Sequence, residues 1–408
     1  MRAVEKVFPL RKPPAPPWRV NLLVVQPTPF CNINCDYCYL PNRDSTKRMP
    51  VSTLVRAVEQ VLAGGMVGER LSIVWHAGEP LVLPVSYYEE AFRALAALPA
   101  ARGKRIAHSI QTNGTLINDA WCQLIKEHSI NVGLSIDGPD FIHDAHRKTR
   151  RGLGTHRQAM RGVEALRKNG ISFHAIAVIT EQSLDHADEI FAFFLEHDIR
   201  QVGFNIEEVE GANRSSTLAK ESAERKLRDF LGRMYWLQKS SNGAVKIREF
   251  DRAYEAIARS AAPAEGNDQS EPFGIVSVDC DGNLSTFSPE LLGVSSETYG
   301  DFCFGNVLAG DLARVPKNRK FKRVLRDIRA GVRLCAETCE YFALCGGGAP
   351  SNKYFENGSF ASAETMYCRH TIQAPIDIVL ADLEASLGVN RRDAEAARGR
   401  ETADSLVA

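Results

Sequence analysis

Cys31-Asn32-Ile33-Asn34-Cys35-Asp36-Tyr37-Cys38 follows closely on an apolar run, Val20-Asn21-Leu22-Leu23-Val24-Val25. Three cysteines stand at CxxxCxxC spacing, with no fourth in the loop. Four thiolates saturate an iron–sulfur cluster, whereas three leave one iron open to chelate a small molecule. Structural zinc loops present CxxC pairs instead, so this spacing speaks for a cluster with a free iron. The loop also sits where α/β folds collect function, at the carboxyl end of a strand.

Outward from that loop the chain alternates. Short β-rich runs fall at 20–26, 71–76, 106–112, 131–137, 171–179 and 200–206. Helical patterns separate them, such as Leu54, Val55, Val58, Val61 and Leu62, or the stretch from Asp185 to Glu196. Six strands with helices between them predict parallel βαβ units. A doubly wound open sheet gives the same pattern, so periodicity leaves the curvature open.

Polar residues punctuate the strand ends. The second strand runs into Trp75-His76-Ala77-Gly78-Glu79-Pro80, where a small pair permits close backbone approach. The third ends in Gln111-Thr112-Asn113-Gly114-Thr115 and the fourth in Ser135-Ile136-Asp137-Gly138-Pro139. Asn-Gly and Asp-Gly-Pro are also ordinary turn chemistry, but successive polar side chains at strand ends suit nucleoside hydroxyls. Arg147 is a candidate partner for a ligand carboxylate, or a solvated cation. The sixth strand closes on Asn205-Ile206-Glu207-Glu208. Glu207 and Glu208 are candidates to position a substrate or take a proton, against the alternative of a solvated acidic loop.

The 408 residues exceed one ordinary core, so two domains are expected. Residues 1–19 read as a proline-rich tail, 20–212 as the αβ unit, 213–272 as a helical bridge with a linker from Ala261 to Pro272, 273–388 as a cysteine-rich unit, and 389–408 as a charged tail. Fifty basic and fifty acidic residues cancel, which gives no reason to expect nucleic acid or a membrane as partner. No signal peptide or membrane span is legible, so a reducing cytoplasm is expected and the ten cysteines read as ligands or free thiols. Cys335, Cys339, Cys345 and the distant Cys368 supply four thiolates, enough to saturate a cubane or to hold zinc. Cys280 and Cys303 stand apart, and Cys122 reads as a buried core thiol.

Cys31, Cys35 and Cys38, with Tyr37 before the last, resemble the signature of the radical S-adenosylmethionine (SAM) enzymes. The resemblance implies a partial (β/α)6 barrel, a [4Fe-4S] cluster, bound SAM and a 5′-deoxyadenosyl radical that abstracts hydrogen from an unactivated C–H. Ala77-Gly78-Glu79-Pro80 resembles the family's GGEP element, whose backbone receives the SAM amino group, with Ala77 replacing the first glycine. Ser135 is implied as the ribose contact, with Gln111, Asn113 and Asp137 nearby, and Arg147 as a partner for the SAM carboxylate.

Cys345-Gly346-Gly347-Gly348-Ala349-Pro350, Cys368 and Gly305-Asn306 resemble a SPASM auxiliary-cluster domain. The match has gaps, since Ala349, Thr286 and Ser288 stand where further cysteines are usual. One auxiliary [4Fe-4S] cluster on Cys335, Cys339, Cys345 and Cys368 is therefore expected; a second has only Cys280 and Cys303. The stretches Leu22–Cys31, Cys345–Lys353 and Glu364–Cys368 resemble cyclophane-forming maturases of ribosomal peptides, the GRRM and FxsB-like group. That likeness implies crosslinking of an aromatic ring carbon to a side-chain β-carbon in a precursor peptide, with a reductase or flavodoxin-type electron donor. Thioether formation, epimerisation and formylglycine formation share the architecture. A non-catalytic iron–sulfur or zinc module and a metabolite-directed radical enzyme are the competing classes.

Overall fold

The computed structural model describes residues 18–259, 267–310 and 312–388. Most of the expected N-terminal tail, residues 260–266 of the linker and the C-terminal tail lie outside the described residues. All six expected strands form: β1 (Leu22–Val25), β2 (Arg70–Trp75), β3 (Arg105–Thr112), β4 (Asn131–Ser135), β5 (Phe173–Ile179) and β6 (Gln201–Ile206). Most carry β-branched or aromatic residues, which fit a pleated and buried surface; β4 instead buries Val132, Gly133 and Leu134. They pair in sequential order and all in parallel. A doubly wound order would place some of these six strands on the far side of β1, and none of the six lies there. Sequential winding with β1 and β6 unpaired to each other is the order of an open segment of a (β/α) barrel.

The crossover helices follow the apolar periodicity. α1 (Val51–Ala63) buries Leu54, Ala57, Val58, Val61 and Leu62 on one face. α2 (Val85–Ala96), α3 (Asp119–Glu127), α4 (Asp140–His146), α5 (His156–Lys168) and α6 (Ala187–Glu196) follow in turn. α3 starts where the Asn118 side chain accepts from the Trp121 amide, and it carries Cys122 fully into the core. Trp75 at the end of β2 is also fully buried, edge-on to Tyr88 at 4.9 Å. Burial of such a ring stabilises the fold by roughly 2–3 kcal/mol.

The bridge is helical, as α7 (Glu221–Ser240) and α8 (Arg248–Arg259), with the short β7 (Lys246–Ile247) added beside β6. Apart from one two-stranded ladder, the strands of the C-terminal half extend the existing sheet. β8 (Ile275–Val278) pairs in parallel with β1, and β9 (Asn283–Thr286) returns antiparallel to it. A small ladder, β10 (Ser295–Ser296) with β11 (Gly300–Asp301), precedes β12 (Gly305–Asn306), which pairs with β9. A ten-stranded mixed sheet results, β12-β9-β8-β1-β2-β3-β4-β5-β6-β7. α9 (Arg319–Thr338) and the helices Pro350–Asn357 and Ala374–Ser386 complete the chain. No helix among the described residues is long and apolar enough to cross a membrane.

Candidate active site

The carboxyl ends of the parallel strands open onto a cavity of about 240 Å³. Cys31, Cys35 and Cys38 face it from the loop after β1, with the first two buried and the third half-buried. Burial first, with neighbouring negative groups, pushes Cys31 up to about 12; burial likewise pushes Cys35 up to about 11. Bound iron would reverse that preference, since a coordinating thiol is deprotonated outright.

The cysteine loop is pinned from several sides. Arg43 donates to the Cys35 carbonyl at 3.0 Å, and the Asn34 amide donates to Lys148 O at 2.6 Å. Asn113 Nδ2 reaches Cys31 Sγ at 3.8 Å and Asn32 Oδ1 at 2.9 Å. Asn113 thus braces the first thiol.

The loop after β2 packs directly on the cysteine loop. Ala77 and Gly78 are both left-handed, at φ +69° and +58°. A Cβ on Gly78 would lie 2.5 Å from the Thr28 and Phe30 carbonyl oxygens. The small residue therefore serves approach of two loops to each other, and Gly78 also lines the cavity. The Glu79 amide donates to Phe30 O at 2.8 Å, and its carboxylate accepts from Leu81 N, Asn113 N and Thr112 Oγ1 at 3.0, 2.8 and 2.7 Å. Burial raises this carboxyl to about 7, against those hydrogen bonds. Gln111 and Ser135 face the cavity from adjacent strand ends, joined by a Gln111 Nε2 to Ser135 Oγ bond of 2.9 Å.

Asp137 and Arg147 pair with each other, and Arg147 also lines the cavity. Asp137 is 1% exposed and does not line the cavity. Arg147 Nε and NH2 donate to its two oxygens at 2.9 Å each, the Tyr37 hydroxyl at 2.5 Å and the Val178 amide at 2.8 Å. Burial would raise the Asp137 carboxyl, but the Arg147 charge and its hydrogen bonds outweigh it and hold the group below its ordinary range. The Asp137 carboxylate, at the end of β4 and balanced by the guanidinium, ties the cysteine loop, through Tyr37, to the end of β5. It is a strut before it is a ligand contact.

Both acidic candidates line the cavity, but the Glu207 carboxylate is engaged by Thr217, accepting from its amide at 2.6 Å and from its hydroxyl. Glu208 is placed otherwise. It joins Glu210 and Glu290 in the outer wall of the cavity, three carboxylates that sequence position alone does not gather. Glu208 accepts from Asn352 Nδ2 at 2.7 Å, and Glu290 accepts from the Ser288 hydroxyl. Glu210 is 5% exposed, and its Oε1 has no hydrogen-bond partner among the described residues. Burial raises all three, Glu208 to about 7; repulsion from neighbouring carboxylates adds to the rise at Glu208 and Glu210, while the bond from Ser288 opposes it at Glu290. Tyr39 and His76 complete this wall, their Oη and Nε2 atoms 3.4 Å apart.

Cys335, Cys339, Cys345 and Cys368 line a second cavity, of about 370 Å³. Cys335 and Cys339 end α9; Gly346, Gly347 and Gly348, at φ +68°, +104° and +72°, wrap the chain after Cys345 in a path only glycines follow readily. The Gly347 amide donates to Cys345 Sγ at 3.4 Å and the Thr365 amide to Cys368 Sγ at 3.1 Å. Four thiols around one cavity, with amide donors aimed at sulfur, fit an iron–sulfur cluster. Cys280 and Cys303 are not brought together. They precede β9 and β12, which run antiparallel in register Gly305↔Leu284, so the two cysteines lie toward opposite ends of the ladder. Cys303 Sγ contacts Gly305 O at 3.0 Å.

Residues 25–194 match the family model of the radical SAM superfamily. A protein of uncharacterised function from Synechocystis sp. is 46% identical over 90% of this chain and 93% of its own length. The serine-type anaerobic sulfatase-maturating enzyme of Klebsiella aerogenes is 35% identical over 51% of this chain and 52% of its own length. The solved structure of native anSMEcpe with bound AdoMet and the Cp18Cys peptide superposes with a TM-score of 0.74 at 23% identity, covering 90% of this chain and 99% of that one. That last likeness is one of fold.

Proposed function

The chain belongs to the radical SAM superfamily and is an enzyme of that class, and from that premise we propose that it oxidises a side chain of a ribosomally made peptide at its β-carbon. One observation carries the proposal. The three thiols, the Gln111–Ser135 pair and the carboxylates Glu208, Glu210 and Glu290 converge on a single cavity beside the four-thiol unit. The Klebsiella relative acts on a sulfatase and anSMEcpe was solved with a peptide, which supports a peptide as substrate here.

Cys31, Cys35 and Cys38 would hold the [4Fe-4S] cluster, and Gln111 and Ser135 offer polar partners to the nucleoside of SAM. When bound, cluster and SAM together supply a reducing electron and a carbon-centred hydrogen abstractor. The residues of this chain do the rest. Glu79, Asn113 and the Asp137–Arg147–Tyr37 strut fix the cysteine loop. The buried wall excludes water from a reactive carbon. Glu208, in the wall it shares with Glu210 and Glu290, is placed to accept the proton that leaves as the β-carbon is oxidised, since burial pushes it up to about 7, in the range of a base at neutral pH. Cys335, Cys339, Cys345 and Cys368 would hold a second cluster, which would supply an acceptor for the electron removed in the same oxidation.

Loss of a β-hydrogen followed by a one-electron oxidation is common to formylglycine formation and to aromatic crosslinking. The loop stretches around Cys31, Cys345 and Cys368 favour the crosslink, the cyclophane reading. Incubation of the reconstituted enzyme with SAM, reductant and candidate peptides, followed by tandem mass spectrometry, separates them. A product lighter by two hydrogens with a fragment-resistant span marks the crosslink, and an aldehyde trapped by a hydrazine marks formylglycine. SAM cleavage with no change in any peptide, but turnover of a small metabolite, overturns the peptide reading.

A further inference from the structure

Lys353 is 3% exposed on the helix Pro350–Asn357. Its Nζ donates to the Gly331 carbonyl at 3.1 Å and to Cys335 Sγ at 3.0 Å. An ammonium taken from water is unfavourable unless a countercharge meets it. No carboxylate partners this one among the described residues, and the sulfur of Cys335 is what it meets. Its neighbours on the helix point the other way. Asn352 bonds Glu208, and Ser351 bonds Ser288, which in turn bonds Glu290. Three consecutive residues therefore touch the active-site carboxylates on one side and the four-thiol cavity on the other.

We propose that Lys353 tunes the cluster held by Cys335, Cys339, Cys345 and Cys368, its charged hydrogen bond to Cys335 raising the reduction potential of that cluster. The inference rests on the reading that these four thiols carry a cluster. A cluster ligated by four thiolates gains negative charge on reduction, so a fixed positive charge beside one ligand sulfur stabilises the reduced form more than the oxidised one. Hydrogen bonds to ligand sulfur shift potential in the same sense. Lys353 thereby fits the cluster for accepting the electron that leaves the substrate.

The test uses the full chain carrying Cys31→Ala, Cys35→Ala and Cys38→Ala, so that only the four-thiol site can bind iron. Iron and sulfide are counted after anaerobic reconstitution, and the reduction potential is read by titration followed by electron paramagnetic resonance. Lys353→Met and Lys353→Gln are expected to keep the iron and to shift the potential in the negative direction, while Lys353→Arg stays near the parent. If Met and Gln lose the cluster and Arg retains it, the requirement for charge at Cys335 is upheld. Potentials equal across Met, Gln and Arg overturn the proposal, as does loss of the cluster in Arg too, which marks a packing role alone. A parent that binds no iron defeats the four-thiol reading itself and the inference with it.

Discussion

Gly78→Ala and Ala77→Gly are adjacent substitutions with opposite expected signs. Gly78 is left-handed at φ +58°, a region that disfavours a Cβ by about 1–2 kcal/mol. The added methyl would also sit 2.5 Å from both the Thr28 and Phe30 carbonyl oxygens, which are backbone and cannot rotate away. Overpacking of that kind costs about 1–3 kcal/mol, giving about 2–5 kcal/mol in all. Relief requires the Thr28–Phe30 backbone to move, and that backbone leads directly into Cys31. Ala77 already tolerates φ +69°, so glycine there removes about 1–2 kcal/mol of strain and adds about 0.5–1 kcal/mol of chain entropy cost. Its net effect is neutral to about 1 kcal/mol stabilising. Chemical unfolding of the apo-protein reads the energies, and iron per chain after reconstitution reads the loop. A Gly78→Ala protein with parental stability and full iron would refute the argument that loop-to-loop approach, rather than ligand approach, requires the glycine.

Three other perturbations bear on the site. Asp137→Ala leaves the Arg147 guanidinium buried without its carboxylate and should destabilise by about 3–5 kcal/mol, with weaker iron retention at the three-thiol site; an unfolding midpoint within error of the parent would remove the strut from the account. Peptide modification should rise with pH and reach half its plateau near 7, because a proton acceptor works unprotonated and Glu208 is pushed up to about 7 by burial, against its bond from Asn352. Stability runs the other way for this group. Its folded value lies above the ordinary 4.5, so its contribution is fully present below 4.5 and lost as pH rises through 7. Glu208→Gln should flatten both trends, and a wild-type rate constant across about pH 5 to 9 would exclude the carboxylates as acceptors. Tyr37→Phe removes one hydrogen bond to a carboxylate and should cost about 1.5–3 kcal/mol, read by the same unfolding assay; no loss would take Tyr37 out of the strut.

The six parallel strands were legible because each is a short apolar run bounded by turn residues and alternating with helical patterns, and local periodicity is what sequence records best. The three-thiol loop was legible from spacing alone. The pairing of β8 with β1 was not, since Ile275–Val278 lies some 250 positions from its neighbour and its four residues carry no register information. Asp137 and Arg147 each looked like a ligand contact; only the fold shows them facing each other. Glu210 and Glu290 escaped notice for the same reason, because docking of the helix Pro350–Asn357 and of the segment around Ser288 is what turns scattered glutamates into a wall. Nothing in the sequence singled out the side chain of Lys353, because its burial against Cys335 comes from packing of elements distant in the chain.

Anaerobic reconstitution with iron and sulfide, followed by SAM and dithionite, tests the central claim most directly. The account predicts about eight irons per chain and production of 5′-deoxyadenosine, with about four irons and no nucleoside from the Cys31→Ala, Cys35→Ala, Cys38→Ala protein. Tight zinc in the four-thiol site, or iron without any cleavage of SAM, would contradict it.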